Sequence, residues 1–302
     1  MVMQNVCAVC GAVQYKTKIN YADHTLYQCL RCGVICSDFL LDKKEAGAYY
    51  AESDYRYLLK YRAQVEYRGR KILKRLGKYV SGGTVLDVGA GCGFFLNLAR
   101  KQGWDVLGID ISPGACEYAR NNFGLEMRNC NIGDANLPDA SLDVITLQHV
   151  FEHLPEPRGA LADLKRILKD TGILVIVVPN TKSIMSYCAH GHWLCLAEKA
   201  HLFHYDKKSL TMLLEKAGFK ILDAYAFQWN GMDILWAIKT AMLGRSINFS
   251  CPARQDSVSA TSPYMTNDSG IRVVMQKILY PVNAILGKFG LGAELILMAR
   301  KG

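Results

Sequence analysis

Long apolar runs are missing from this sequence. The densest, Ile173–Val178, has the length of a buried strand, whereas a membrane-spanning helix needs about 20 apolar residues. Nor does a basic stretch with an apolar core precede Cys7, so no secretory leader is expected. No internal repeat is visible. Disorder throughout the chain is excluded, because 50% of the residues are hydrophobic and 21% charged, and a disordered chain shows the opposite balance. What the chain does have is 302 residues, enough for one large domain or two smaller ones, and 11 cysteines. That odd number, with four of them in two C-x-x-C pairs, reads as metal ligands or free thiols in a reducing compartment rather than a disulfide framework. A cytoplasmic location is the expectation.

Charge is unevenly spread. The net is +9, and residues 1–80 carry 14 lysines and arginines against 7 acids, while the remaining 222 carry 22 against 20. The excess peaks between Arg56 and Lys78. It suits either a phosphate-bearing partner or a solvated helix face.

The chain divides into three parts. Residues 1–40 hold the cysteine pairs. Residues 41–80 are helical from 43 to 79, rich in tyrosine early (Tyr49, Tyr50, Tyr55, Tyr57, Tyr61) and in basic residues later, and end at the breaker Ser81-Gly82-Gly83. Residues 81–302 alternate strands and helices. Strand-sized apolar runs stand at Thr84–Val88, Asp105–Asp110, Leu142–Leu147, Ile173–Val178, Phe219–Phe227 and Glu294–Ala299, with a weaker one at Leu125–Arg128. Between them, Phe94–Gln102 stops at Gly103. Ser112-Pro113 starts Ala115–Asn122, and Leu161, Leu164 and Leu168 keep helical spacing before Gly172. Asp206 caps a helix that Gly218 ends. Such alternation predicts an α/β fold, a doubly wound seven-stranded, mostly parallel sheet with helices on both faces. Residues 228–292 interrupt the rhythm and read as an insertion between the last two strands: two amphipathic helices joined by a polar loop. They would serve as a lid, a dimer surface or a peripheral membrane contact.

The strongest chemical signal is Asp87-Val88-Gly89-Ala90-Gly91-Cys92-Gly93, a strand entering three alternating glycines and then a helix. Glycine lets the backbone turn sharply and approach a ligand with no Cβ in the way. A dinucleotide-binding loop would need its third glycine where Phe94 stands. Asp110 ends the next strand, 21 residues past Gly89, where a carboxylate can accept hydrogen bonds from both ribose hydroxyls.

With these residues the sequence resembles the class I S-adenosylmethionine (SAM)-dependent methyltransferases, which have a Rossmann-like sheet. Gly133-Asp134-Ala135 looks like the segment that meets adenine, Ser141–Ile145 like the fourth strand, and Gln148–Leu154 like the loop after it. The resemblance covers roughly residues 80–230 and the last strand. It implies cofactor contacts from Asp87, Gly89, Ala90, Gly91, Gly93, Asp110, Ile111, Asp134, Ala135 and Gln148.

Cys7-x-x-Cys10-Gly11 and Cys29-x-x-Cys32-Gly33 form the second signal. Four thiolates so spaced make a closed, structural Zn2+ site of the zinc-ribbon kind, with Cys36 a nearby spare. A ribbon, a tyrosine-rich segment and this core are similar to enzymes that methylate sugars and other small polar metabolites, among them nucleotide-sugar C-methyltransferases. Those carry a further C-terminal domain, so transfer to oxygen or nitrogen stands beside transfer to carbon. His149-x-x-Glu152-His153 spells the H-x-x-E-H of some zinc peptidases, but it follows a strand directly and falls in the loop the resemblance already explains.

Methyl transfer needs a nucleophile held in line and, for a hydroxyl, a base. Histidine suits that task at neutral pH. His201, in the segment resembling the acceptor pocket, is the first candidate; His149, His204 and Glu198 follow. His153 reads as an orienting neighbour. Tyr50 and Tyr55 could close over the cofactor. The predicted acceptor is a sugar, nucleotide-sugar or lipid-linked glycan intermediate. The rivals are an RNA methyltransferase gripping the phosphate backbone with its ribbon and basic helix, and a noncatalytic SAM-binding partner. Against RNA, Leu147-Gln148-His149-Val150 is not the Asn/Asp-Pro-Pro-aromatic sequence of base N-methylating enzymes, and the Pro-Cys pair of the cytosine-C5 kind is missing too.

Overall fold

A computed structural model describes residues 6–39, 55–189, 193–227 and 285–302. Most of the 228–292 insertion, Tyr50 and the start of the 43–79 helix therefore lie outside the described residues.

Strands β1 (Tyr15–Asn20), β2 (Thr25–Cys29) and β3 (Ile35–Ser37) form an antiparallel N-terminal sheet. The main sheet comprises β4 (Thr84–Val88), β5 (Asp105–Asp110), β6 (Met127–Asn129), β7 (Leu142–Gln148), β8 (Leu168–Pro179), β10 (Phe219–Phe227) and β11 (Glu294–Lys301). Its order is β10-β11-β8-β7-β4-β5-β6. The five strands from β4 to β8 pair in parallel, and β11 runs antiparallel between β8 and β10. This is the seven-stranded, Rossmann-like arrangement expected. Order reverses beside β4, so the crevice past the C-terminal ends of β4 and β7 is the binding edge of the sheet.

Local chemistry explains most boundaries. Ser112 caps the helix Pro113–Phe123, with its side chain accepting from Ala115 N, and left-handed Gly124 ends it. Asp206 and Ser209 form a reciprocal capping box at the start of Lys207–Lys216. The Leu161, Leu164, Leu168 stripe is only partly helical. The helix Pro157–Ile167 ends one residue earlier and Leu168 opens β8. Gly172 is no helix stop but lies within that strand. A Cβ there would stand 3.0 Å from the carbonyl oxygen of Leu142, beside the irregularity in register between Leu142 and Val144. Glycine inside a strand marks such close backbone approach.

One strand had no signature in the sequence. β9 (Phe203–His204) leaves the methyltransferase-like part and pairs with β3, Ile35 opposite His204 and Cys36 opposite Phe203. The four paired cysteines pack in one apolar cluster with Leu202, Phe203, Tyr205 and Leu210. The N-terminal module is thus built into the core, not tethered to it. Among the described residues no helix is long and apolar enough to cross a membrane.

Candidate functional site

The loop after β4 is built for a ligand. Gly89, Gly91 and Gly93 hold φ of 69°, 52° and 75°. A Cβ on Gly89 would sit 2.3 Å from Val150 Cγ2, and one on Gly93 2.5 Å from Leu125 Cδ1. The amides of Gly89 and Ala90 both donate to the Ile109 carbonyl, at 2.8 and 3.0 Å, locking the loop to the end of β5. Just past that carbonyl, Asp110 accepts from Gly91 N at 2.7 Å and from Ser112 N at 2.8 Å, one bond to each oxygen. Each oxygen keeps lone-pair capacity. Burial raises the pKa of Asp110 against the pull of those two amides. Ile111 is half-buried, Ala135 is buried, and Asp134 stands exposed at the same edge, next to Asn131. A 3-10 turn, Tyr55–Tyr61, covers the loop: Leu58 reaches Gly91, and Tyr55 packs on Gly114 and Tyr118.

Asp87 points into the sheet and accepts a hydrogen bond from the Thr146 hydroxyl. Burial raises its pKa to about 7, against the pull of Thr146, Gln148 and Arg68. Because the folded state then binds the proton more tightly, stability falls as pH rises from about 4 to about 7 and is flat above. Asp87→Asn should therefore stabilise the ligand-free fold by ~2–4 kcal/mol at pH 8 and by little at pH 4. Urea denaturation of the two proteins across that range measures the difference; a pH-independent gap would show that Asp87 does not titrate there.

The second half of the site follows β7. Gln148 ends the strand, His149 holds a left-handed φ of 57°, Val150 covers Gly89, and Phe151–His153 form a 3-10 turn. His149 is clamped between two acids, Nε2 at 3.1 Å from Glu294 and Nδ1 at 3.3 Å from Glu152. Burial alone would depress its pKa, but the two carboxylates outweigh that and hold it at about 9. It carries its proton at neutral pH and is a poor base. Behind it, buried Arg68 donates to Glu294 at 2.8 Å and to Gln148 at 3.1 Å, and Gln64 adds a third bond to the same acid. Burial pushes Glu294 up, but Arg68 and His149 hold it at about 2.

Glu294→Gln should cost ~3–5 kcal/mol in denaturant unfolding, because it leaves buried Arg68 without its counter-charge. Pairing it with Arg68→Met should recover much of that loss. Additive penalties in the double variant would disprove the coupling.

The remaining histidines converge on the same place. His153 donates from Nδ1 to the Ala200 carbonyl at 2.8 Å, and His201 from Nδ1 to the Cys195 carbonyl at 2.8 Å. Their rings lie 4.6 Å apart. Glu198 shapes this turn, accepting from Ala200 N through its side chain and from His201 N through its carbonyl. His204 departs from expectation: pairing with β3 buries it to 3% exposure and burial pushes its pKa well down, which removes it from reach of an acceptor. Of the four expected catalytic side chains, His149, Glu198 and His201 are half-exposed, and His201 has its ring in edge contact with both His153 and His204. Reading the sequence missed Arg68 and Glu294. Nothing local signals an ion pair 226 residues apart.

The four paired cysteines also meet. Cys7 and Cys32 sulfurs stand 3.7 Å apart, those of Cys10 and Cys29 3.5 Å, and all four lie within 4.8 Å of one another and are buried. Tetrahedral ligation with Zn–S bonds of ~2.3 Å places sulfurs ~3.8 Å apart. The two knuckles repeat one backbone pattern: Gly11 N to Cys7 O and Cys7 N to Ala12 O in the first, Gly33 N to Cys29 O and Cys29 N to Val34 O in the second. The sulfurs share protons, so the Cys32 bond drives Cys7 down to about 4 while Cys32 is driven up.

Basic residues of the helix Arg62–Leu76 are partly spent inside the molecule. Arg68 is buried against Glu294, Arg75 bonds Asp223 at 2.5 Å, and Arg62 and Arg70 both meet Glu66. A wide groove of about 1040 Å³ lies at the opposite edge of the sheet. Its cations are largely paired: Arg158 with the Ala8 and Val9 carbonyls, Lys216 with the Cys10 carbonyl, and Lys301 with Asp170 of the groove wall itself.

Comparison with known proteins agrees with this geometry. The sequence model of a methyltransferase-domain family matches residues 61–224. A "probable S-adenosylmethionine-dependent methyltransferase" of Mycolicibacterium smegmatis is 28% identical over 157 residues, 52% of this chain and 59% of the relative. The demethylmenaquinone methyltransferase of Tropheryma whipplei is 38% identical over 111 residues, 35% of this chain and 46% of the relative. The chain thus spans about half the length of the curated relatives it matches. A SAM-dependent methyltransferase from Archaeoglobus fulgidus shares the fold, with a TM-score of 0.53 and 24% identity over 82% of this chain and all of the other.

Proposed function

The chain belongs to the methyltransferase-domain family, and on that premise we propose that it binds SAM and transfers its methyl group to a small polar acceptor. One observation carries the reading: the glycine loop and Asp110 meet, across Val150, a second half lined with histidines and acids at the same sheet edge. In the transfer, an oxygen, nitrogen or carbon of the acceptor would form its bond to the methyl carbon as the S–CH3 bond breaks. S-adenosylhomocysteine would leave, and where the acceptor group is a hydroxyl its proton would pass to the His201 side of the site. Asp110 holds the ribose, Asp134 the adenine amino group, and the backbone of residues 89–93 the methionine end. The acceptor is a sugar, nucleotide-sugar or glycan intermediate. The Cys7, Cys10, Cys29, Cys32 cluster holds a structural Zn2+ that leaves no open position for chemistry.

Methyl-labelled SAM, incubated with purified protein and extract fractions of polar metabolites, lipids and RNA, tests the acceptor class. Label in the polar or glycolipid fraction is the expected outcome. Nuclease-sensitive label would overturn it, and so would SAM binding with no label in any fraction.

A further inference from the structure

The H-x-x-E-H run has one member the methyl-transfer reading leaves unused. Glu152 is fully buried, and neither of its oxygens makes a hydrogen bond of good geometry among the described residues. Its nearest charged neighbour is His149, at 3.3 Å from one oxygen, and His149 is already tied to Glu294 through its other nitrogen. The charge of Glu152 is balanced by His149, but buried carboxylate oxygens that accept no hydrogen bond cost free energy, and an ion bound to them would complete their surroundings. We infer that Glu152, His153 and His201 form a second metal site, separate from the cysteine cluster, which takes a first-row divalent transition ion.

Four observations support it. First, one ligand atom from each of the three side chains falls within 4.8 Å of the others, a span that small rotamer changes close around an ion. Second, each histidine donates Nδ1–H to a backbone carbonyl, His153 to Ala200 and His201 to Cys195, both at 2.8 Å. A carbonyl can only accept, so in the neutral ring the lone pair sits on Nε2. Metal-binding histidines are oriented in this way. Third, the backbone holds the two ligand segments together, with Leu202 N donating to the Glu152 carbonyl at 2.9 Å. Fourth, the donor set is two imidazoles and one carboxylate, which suits zinc, iron, manganese or cobalt rather than calcium or magnesium.

The motif is thus used differently from a zinc peptidase. There the two histidines of a helix bind the ion and the glutamate works beside it. Here His149 is locked between acids, the segment is a 3-10 turn rather than a helix, and His201 from the loop before β9 supplies the third ligand. Glu152 closes the buried side while His153 and His201 are half-exposed, so the open coordination positions face the acceptor side. An oxygen of the acceptor bound there is acidified by the ion. That consequence rests on the proposed methyl transfer; the binding of the ion does not.

The test uses the full chain produced in cobalt-supplemented medium, with cobalt counted per protein and absorption recorded. Two equivalents are expected: one with intense thiolate charge-transfer bands, and one with only weak d–d bands of nitrogen and oxygen ligation. His201→Ala and Glu152→Gln should each retain the thiolate signal, drop to one equivalent and still bind SAM. Cys7→Ser with Cys10→Ser should lose the thiolate signal. A single equivalent in the wild type, all of it thiolate-bound, overturns the inference, as does a second equivalent that survives His201→Ala. Because His201 is half-exposed, its variant remains informative if Glu152→Gln fails to fold. SAM affinity and methyl transfer are read separately. Absence of the second site from the wild type with SAM binding intact refutes this inference alone, whereas two metals without any transfer refutes the proposed function.

Discussion

Asp110→Ala is expected to abolish SAM binding, weakening it by at least ~100-fold in a calorimetric titration. Two hydroxyls of a ribose donating to one carboxylate make charge-assisted bonds worth ~1.5–3 kcal/mol each, so their joint loss corresponds to ~3–6 kcal/mol. The same carboxylate also fixes the loop, since it accepts from Gly91 N and Ser112 N. Without it, the backbone amides meant for the ligand lose their anchor and the Ser112 cap loosens. Asp110→Asn separates the two effects. An amide can still accept from one of those backbone donors, so this variant should keep more of the loop order while losing the charge. The wild-type fold should survive in both, because β5 is held by its pairing with β4 and β6. Near-normal affinity in Asp110→Ala would remove the cofactor assignment altogether.

Much of this arrangement was legible before the fold was known, because its signals are local. The alternating glycines, the acid closing the next strand, the Ser112-Pro113 start and the Asp206 cap are each decided by a few neighbouring residues. Phe219–Phe227 came out with the bounds the apolar pattern predicts. Where the reading departed, a distant contact had overridden a local preference. Gly172 looks like a helix stop in isolation but lies where the Leu142 carbonyl presses on the backbone of β8. Arg68 looks like one more cation on a basic helix face until the last strand brings Glu294 beneath it. β9 is two residues long, too short for any periodicity, and exists because β3 offers it an edge. The histidine cluster is intermediate. Its members are conspicuous in the sequence, yet which of them face a ligand and which are buried is settled by that same pairing, which takes His204 inward and leaves His201 half-exposed.

That pairing gives the cysteine cluster a role beyond its own module. Replacing Cys7 and Cys10 with serine should release the proposed zinc, and the loss should spread to the acceptor side while sparing the glycine loop. Structural zinc contributes on the order of 10 kcal/mol to the folding of small zinc modules, more than the short strands β1 to β3 could replace. Their collapse removes the partner of Phe203 and His204 and strips cover from Tyr205, which is fully buried against Phe151 at 5.6 Å. Phe151 precedes Glu152, and Tyr205 accepts from Thr181 N at 3.0 Å, so both sides of the acceptor half lose a wall. The glycine loop depends instead on β4, β5 and Leu125. The expected result is selective: about one zinc per chain in the wild type's cysteine cluster and none there in the variant, SAM affinity within a few-fold, and methyl transfer reduced at least tenfold. Hydrogen exchange should rise at residues 200–205 and stay level at 86–93. If exchange rose equally in both segments, the cysteine cluster would be a support for the whole fold. If it rose in neither, the module would be an appendage and β9 pairing would carry no function.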